Sequence, residues 1–306
     1  MHSQAQDHFD HGHDYPTPEN FSLSFFVAVS ANISFTILEA FYAFLTDSAS
    51  LLADAGHNFS DVVALLLAWG ASFLATRATS QLYSYGLRRT TILAALVNAL
   101  ILVLTAGFIG LQALDKLMNP SPISETTVMV VAAVGILVNA GTALMFRKDS
   151  DRDLNIKAAY LHLAYDALIS IGVVISAALI FLTGWLWIDG LTGCLIVGVI
   201  IWGAWGLLRD SVNLILDAVP RQIDRQQVLN YLQSIDGVDQ VHDLHIWALS
   251  AKETCLTAHL VMPEKPLWES ESAYRNIDAT LKQRFGIYHV TLQVEKDTEC
   301  VTQDCN

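Results

Sequence analysis

The chain has 306 residues, of which 53% are hydrophobic and 15% charged, with a formal net charge of -13. Soluble domains carry about 25% charged residues, so this composition belongs to the membrane class. The acidic balance argues against nucleic acid as a partner, since that demands basic patches, and four scattered cysteines (Cys194, Cys255, Cys300, Cys305) form no disulfide framework.

In chain order, residues 1–22 form an acidic tail with histidines His2, His8, His11 and His13. Without a basic n-region or an apolar h-region, the tail does not read as a secretory signal peptide. Six apolar stretches follow, near 23–46, 51–76, 89–115, 122–147, 154–182 and 185–209. Each, as a helix, is long enough to cross a hydrocarbon core of about 30 Å. The short turns "TDSAS", "NPSPIS" and "TGW" set successive helices antiparallel, so residues 23–209 are expected to form an all-α six-helix domain within the lipid bilayer. Basic residues cluster on one side: Arg77, Arg88 and Arg89, then Arg147, Lys148, Arg152 and Lys157, then Arg209, Arg221 and Arg225. The opposite turns offer Lys116, so the positive-inside rule places both termini in the cytoplasm.

From residue 210 to 306 the composition becomes that of a soluble domain. "DRQQVLNYLQSI" predicts a helix with Val228, Leu229, Leu232 and Ile235 on its apolar face and Asp224 as N-cap. "VDQVHDLHIWALS" and "ETCLTAHLVMP" predict strands, the second with Leu256, Ala258 and Leu260 alternating with Cys255, Thr257 and His259. "SAYRNIDATLKQRF" predicts a further helix and "HVTLQVE" a closing strand. The order α-β-β-α-β implies a small sheet backed by two helices.

Two of the apolar stretches carry the chemistry. "ADAGHNFSDVVALLLAW" places His57 and Asp61 in the second, and "AYLHLAYDALIS" places His162 and Asp166 in the fifth. At i and i+4 each pair shares one helix face, with Cβ atoms about 5–6 Å apart. A central Asp costs roughly 2.5–3.5 kcal/mol on insertion scales, and Asp61 falls about 15 Å into its span. Two imidazoles and two carboxylates meeting at one point make an N₂O₂ set suited to tetrahedral zinc, and two carboxylates neutralise a divalent cation. A single such motif reads equally as a hydrogen-bonded packing pair; two copies favour metal. Glu39, Asn32, Asp47 and Asp54 are candidates for supporting or access groups, or for helix-end solvation and interhelical hydrogen bonds. Imidazole binds metal only when neutral and carboxylate only when ionised, so metal binding expels protons and protonation expels metal. The chain has no G-x-x-x-x-G-K-[ST] to couple ATP and no H-E-x-x-H. The rival functions are an intramembrane zinc metallohydrolase and a membrane metal sensor.

The segments "DSASLLADAGHNFSD", "YSYGLRRTTILAALVNA", "AAYLHLAYDALISIGVV", "LLRDSVNLILDAVP" and "VHDLHIWALS" resemble the cation diffusion facilitator family, in its zinc-exporting branch. The resemblance runs from about Phe21 to Glu295. It implies a non-enzymatic, proton-coupled antiporter that moves zinc out of the cytoplasm by alternating access, with cadmium or cobalt as further cargo. It implies a homodimer in a bacterial inner membrane, with a ferredoxin-like, metallochaperone-like α+β cytoplasmic domain that binds metal and dimerises. Family ligands carry over to His57, Asp61, His162 and Asp166. His242, His259 and Glu295 match a cytoplasmic zinc site of vesicular transporters, and His11, His13, Cys300 and Cys305 look like counterparts of its accessory ligands. There are departures. Gly12 stands where those relatives have Cys, and Cys300 and Cys305 are spaced more widely than a zinc knuckle. The loop "MFRKDSDRDLNIK" lacks the His-rich run of many relatives, and "TRATSQLYSYGLRR" offers no His or Asp for a further site. Tyr165 and Ala43 occupy places where glycine is common, which predicts altered packing around the ligands. His245 and His289 are expected to be structural.

Overall fold

The computed structural model describes residues 23–147, 154–263 and 271–296. Six long helices come first: α1 (Leu23–Thr46), α2 (Ala49–Ala75), α3 (Thr90–Met118), α4 (Glu125–Arg147), α5 (Leu154–Thr183) and α6 (Trp187–Ile215). All six are long and apolar enough to cross a membrane. They follow the expected spans closely, except that α6 continues past 209 through Arg209 and Asp210 to Ile215. Then come α7 (Arg225–Gln233), β1 (Gln240–Ala248), β2 (Thr254–Val261), α8 (Glu271–Phe285) and β3 (Ile287–Glu295). The described residues group into two compact units, one up to Ala68 with Val97–Gly206, the other Trp69–Leu96 with the chain from Leu207.

In the first unit Phe35, Leu51, Ile109, Val128, Val173, Ile180 and Ile196 lie in one core. Without water to satisfy them, hydroxyls in the spans turn back on their own helices: Thr36 Oγ1 donates to the Asn32 carbonyl, Ser60 Oγ to that of Gly56 and Thr142 Oγ1 to that of Val138, each at 2.8 Å. The start of α2 is held from α6. Asp189 accepts from Ser48 Oγ (2.7 Å), the Ala49 amide (2.6 Å), the Ser50 amide (3.2 Å) and Ser50 Oγ (2.6 Å). A buried carboxyl group thereby satisfies orphan donors at a helix N-terminus. Next to it, a Cβ on Gly190 would lie 2.5 Å from the Leu117 amide nitrogen, so α6 can approach α3 this closely only with glycine. This anchor ties α6 to the start of α2, the helix that carries His57 and Asp61.

The second unit contains a sheet ordered β1-β2-β3, with β1 and β2 antiparallel and β2 and β3 parallel. The parallel pair requires a crossover, which includes α8. Val228 and Leu232 of α7, Leu256 and Leu260 of β2, Leu281 of α8 and Ile287 of β3 are fully buried in its core. This is the expected α-β-β-α-β order and agrees with a ferredoxin-like α+β domain. Asp224 caps α7, accepting from the Gln226 and Gln227 amides at 2.8 and 3.2 Å. The segment before α3 belongs to this unit: Arg88 pairs with Glu253, Arg89 Nη2 lies 2.6 Å from Asp217 Oδ1, and Thr91 Oγ1 accepts from the Ala251 amide at 3.0 Å.

Candidate metal centres

The i, i+4 spacing on two helices brings all four intramembrane residues together. The shortest separations are the crossed ones: His57 Nε2 to Asp166 Oδ1 is 3.2 Å and His162 Nε2 to Asp61 Oδ2 is 3.4 Å. The pairs within each helix are 3.8 Å (His57–Asp61) and 3.6 Å (His162–Asp166). Crossed pairing of this kind results when two helices run in opposite directions. Four ligands bonded at about 2.1 Å to a tetrahedral centre lie about 3.4 Å from one another. One ligand atom each of His57, Asp61 and Asp166 lies within 4.8 Å of the other two, and His162 joins this group through Asp61 Oδ2 and Asp166 Oδ2, the oxygen of Asp166 that His57 does not contact. The two rings meet edge to face with centroids 6.2 Å apart. Asp166 is buried and His57 and Asp61 are partly buried, while the His162 side chain is 47% exposed. Tyr165 is 63% exposed and turns its bulk away from the interior, and Ala43 is buried.

Two further carboxyls support this region. Asn58, on the turn of α2 that carries His57, donates from Nδ2 to Glu39 Oε2 on α1 at 2.8 Å, and Ser170 Oγ of α5 donates to Asp54 Oδ2 at 2.8 Å.

The sheet builds a second cluster. His242 and His259 are direct cross-strand partners on β1 and β2, their rings edge to face at 5.0 Å. Glu295 lies two residues beyond Gln293, the β3 partner of His259. Its carboxylate spans both rings, with Oε2 3.0 Å from His242 Nε2 and Oε1 3.0 Å from His259 Nδ1. Partial burial pushes the Glu295 carboxyl up, but hydrogen bonds from His242 and Gln293 and the neighbouring His259 outweigh it and hold the group below its ordinary value. Asp243, which sequence reasoning missed, joins this cluster. Its φ of 51° lies in the left-handed region, within a register shift between His242 and His245, and its Oδ2 lies 3.5 Å from His259 Nε2. The signal available was the polar run "VHDLH"; the bulge that re-aims it is not visible in composition. His245, expected to be structural, is exposed and contacts Asp243 at 2.9 Å, and His289 packs edge to face on Tyr85. His11, His13, Cys300 and Cys305 lie outside the described residues.

The sequence profile of the cation efflux transmembrane domain matches residues 25–216, and that of the cation efflux protein cytoplasmic domain matches residues 220–297. The chain belongs to the cation efflux family. It is 31% identical over 290 residues to the cadmium, cobalt and zinc/H(+)-K(+) antiporter of Bacillus subtilis, covering 94% of this chain and 92% of that protein. It is 35% identical over 285 residues to the cation efflux system protein CzcD of an Alcaligenes strain, covering 93% and 89%. It is also 32% identical over 281 residues to the zinc transporter ZitB of Escherichia coli, covering 91% and 88%. As a member of this family of transporters with six candidate spans, the protein is a multi-pass integral membrane metal-cation exporter. Within the family frame, the first cluster lies in the transmembrane domain and the second in the cytoplasmic one.

Proposed function

We propose that the protein exports zinc from the cytoplasm in exchange for protons, with His57, Asp61, His162 and Asp166 as the transport ligands. The observation that supports this reading is the grouping of His57, Asp61 and Asp166 within 4.8 Å of one another inside two apolar helices, with His162 3.4 Å from Asp61 and 3.6 Å from Asp166. Two neutral imidazoles and two carboxylates balance one divalent charge, and a complete set of four ligands suits carriage rather than hydrolysis, which needs an open coordination position. Imidazole binds the cation only when neutral and carboxylate only when ionised, so protons compete with the cation for the same atoms. The donor set also suits cadmium and cobalt, and fits manganese or magnesium poorly because those prefer oxygen-rich octahedra.

The rest of the organisation belongs to the same proposal. Residues 23–209 carry transport and residues 210–306 bind metal and dimerise, in a homodimer of an inner membrane with both termini cytoplasmic. His242, His259 and Glu295 form a cytoplasmic zinc site, and the tail, with Cys300 and Cys305, is accessory to it. Zinc flux measured into proteoliposomes with an imposed pH gradient tests the function. Zinc uptake accompanied by counter-flow of protons is expected; absence of flux from a folded, reconstituted dimer overturns transport.

A further inference from the structure

Glu39 on α1 and Asp54 on α2 are both completely buried. Asp54 and Asn58 are four residues apart and share a face of α2, and Asn58 holds Glu39 at 2.8 Å, so the Glu39 carboxyl lies against that face. The two carboxyls are within hydrogen-bonding reach of each other. Each has one oxygen with a donor, from Asn58 or Ser170, and one without: Glu39 Oε1 and Asp54 Oδ1 are buried and unpartnered among the described residues. Neither α1 nor α2 contains a lysine or arginine. On the α4 side the wall is Gly135, where a Cβ would lie 2.7 Å from the Phe35 ring and 3.2 Å from Ser170 Oγ. The charged groups facing the pair are Asp166 of α5, which adds negative charge, and His57 of α2.

Two ionised carboxylates sealed together with no cation would both forfeit their hydration with nothing to replace it. One proton placed between them supplies the missing donor, and the two groups then titrate as a unit.

We propose that Glu39 and Asp54 bind one proton between them, forming a proton-carrying site distinct from the four metal-facing residues and a latch that ties α1 to α2 and α5. With the proton in place, the O–H of one carboxyl donates to the other and the three helices are joined through Asn58 and Ser170. When the proton leaves to water, two carboxylates face each other and the latch opens. Because α2 and α5 carry the metal-facing residues, the state of this pair biases their arrangement. The shared proton stands by itself, whereas the latch rests on the transport reading above.

Infrared difference spectroscopy of the full-length protein in lipid, at neutral pH, tests the first part. The wild type is expected to show the C=O stretch of a protonated carboxylic acid, shifted in D₂O, and both Glu39→Gln and Asp54→Asn are expected to lose it. No such band in the wild type, or a band that persists in both variants, overturns the shared proton. So does a band that bleaches on addition of K⁺ or Na⁺, which would make the pair an alkali-cation site. The second part is read by flux. Glu39→Gln cannot ionise and keeps the hydrogen bonds, so it should still bind zinc while flux falls by about tenfold or more, equivalent to about 1.4 kcal/mol in the barrier. Wild-type flux in this variant overturns the latch. Absence of flux in the wild type overturns the transport reading instead and leaves the infrared result standing.

Discussion

The intramembrane and cytoplasmic clusters use the same materials, two histidines with carboxylates, on opposite kinds of scaffold. In the membrane the donors come as two i, i+4 pairs, and the distance between pairs is set by helix packing alone. On the sheet His242 and His259 are register partners, joined through the backbone ladder that also positions Glu295. Two helices can part by sliding or tilting while keeping every backbone hydrogen bond, whereas strands cannot change register without breaking theirs. A cluster that must load and release an ion therefore gains from the helical arrangement. One that holds an ion in place gains from the sheet.

The largest effect expected from this contrast is at the helices. His57→Ala and Asp166→Ala should each reduce zinc flux in proteoliposomes to the background of empty liposomes, with the purified protein still folded. Flux at the wild-type level in either variant would remove the cargo site from α2 and α5. Next in size is selectivity: His57→Asp or His162→Asp replaces nitrogen by hard oxygen and changes the charge of the site, and should relax selectivity towards harder or larger ions, manganese for hardness and cadmium for size, by on the order of tenfold in competition. An unchanged ion ranking in both variants would mean that ligand chemistry is not the filter.

A third measurement sharpens the helical side. Asp189→Ala leaves the buried amides and hydroxyls at the start of α2 without an acceptor, and should cost about 2–3 kcal/mol of stability. It should also weaken zinc binding, since α2, which carries His57 and Asp61, would lose its tie to α6. Thermal unfolding in detergent with and without zinc reads both, and an unaltered midpoint would show that α2 is positioned by other contacts. Smaller still, His242→Ala or Glu295→Ala should lower bound metal by about one ion per protomer while most of the flux is retained. Complete loss of flux in these variants would abolish the distinction between the two clusters.

The smallest effect concerns the cytoplasmic unit's own helix cap. The Gln227 and Gln226 amides hold the Asp224 carboxyl below its ordinary value of 3.8. Its stabilisation is therefore fully present above that value and is lost as pH falls through the lower folded value. Asp224→Ala should unfold at a slightly lower temperature than the wild type at neutral pH, and the gap should close in acid. A gap that is the same at pH 7 and in acid would assign the effect to something other than the ionised cap.

Local periodicity by itself determined most of the architecture. Six apolar runs of span length required six helices, and the apolar spacing around Val228 and Leu232 together with Asp224 placed α7 and its cap. The H-x-x-x-D spacing likewise determined that His57 shares a face with Asp61 and His162 with Asp166, because 3.6 residues per turn leaves no other arrangement. Tertiary structure alone decided how the two faces meet: the crossed His57–Asp166 and His162–Asp61 contacts depend on helix direction and packing, which no single segment encodes. It also decided the partners of Asp54 and Glu39, the reach of Asp189 across 140 residues to Ala49, and the bulge that carries Asp243 to His259. Each of those is a polar contact between residues far apart in the chain, and its reason is the same: a buried charge or donor must find a partner, and where that partner lies depends on the fold as a whole.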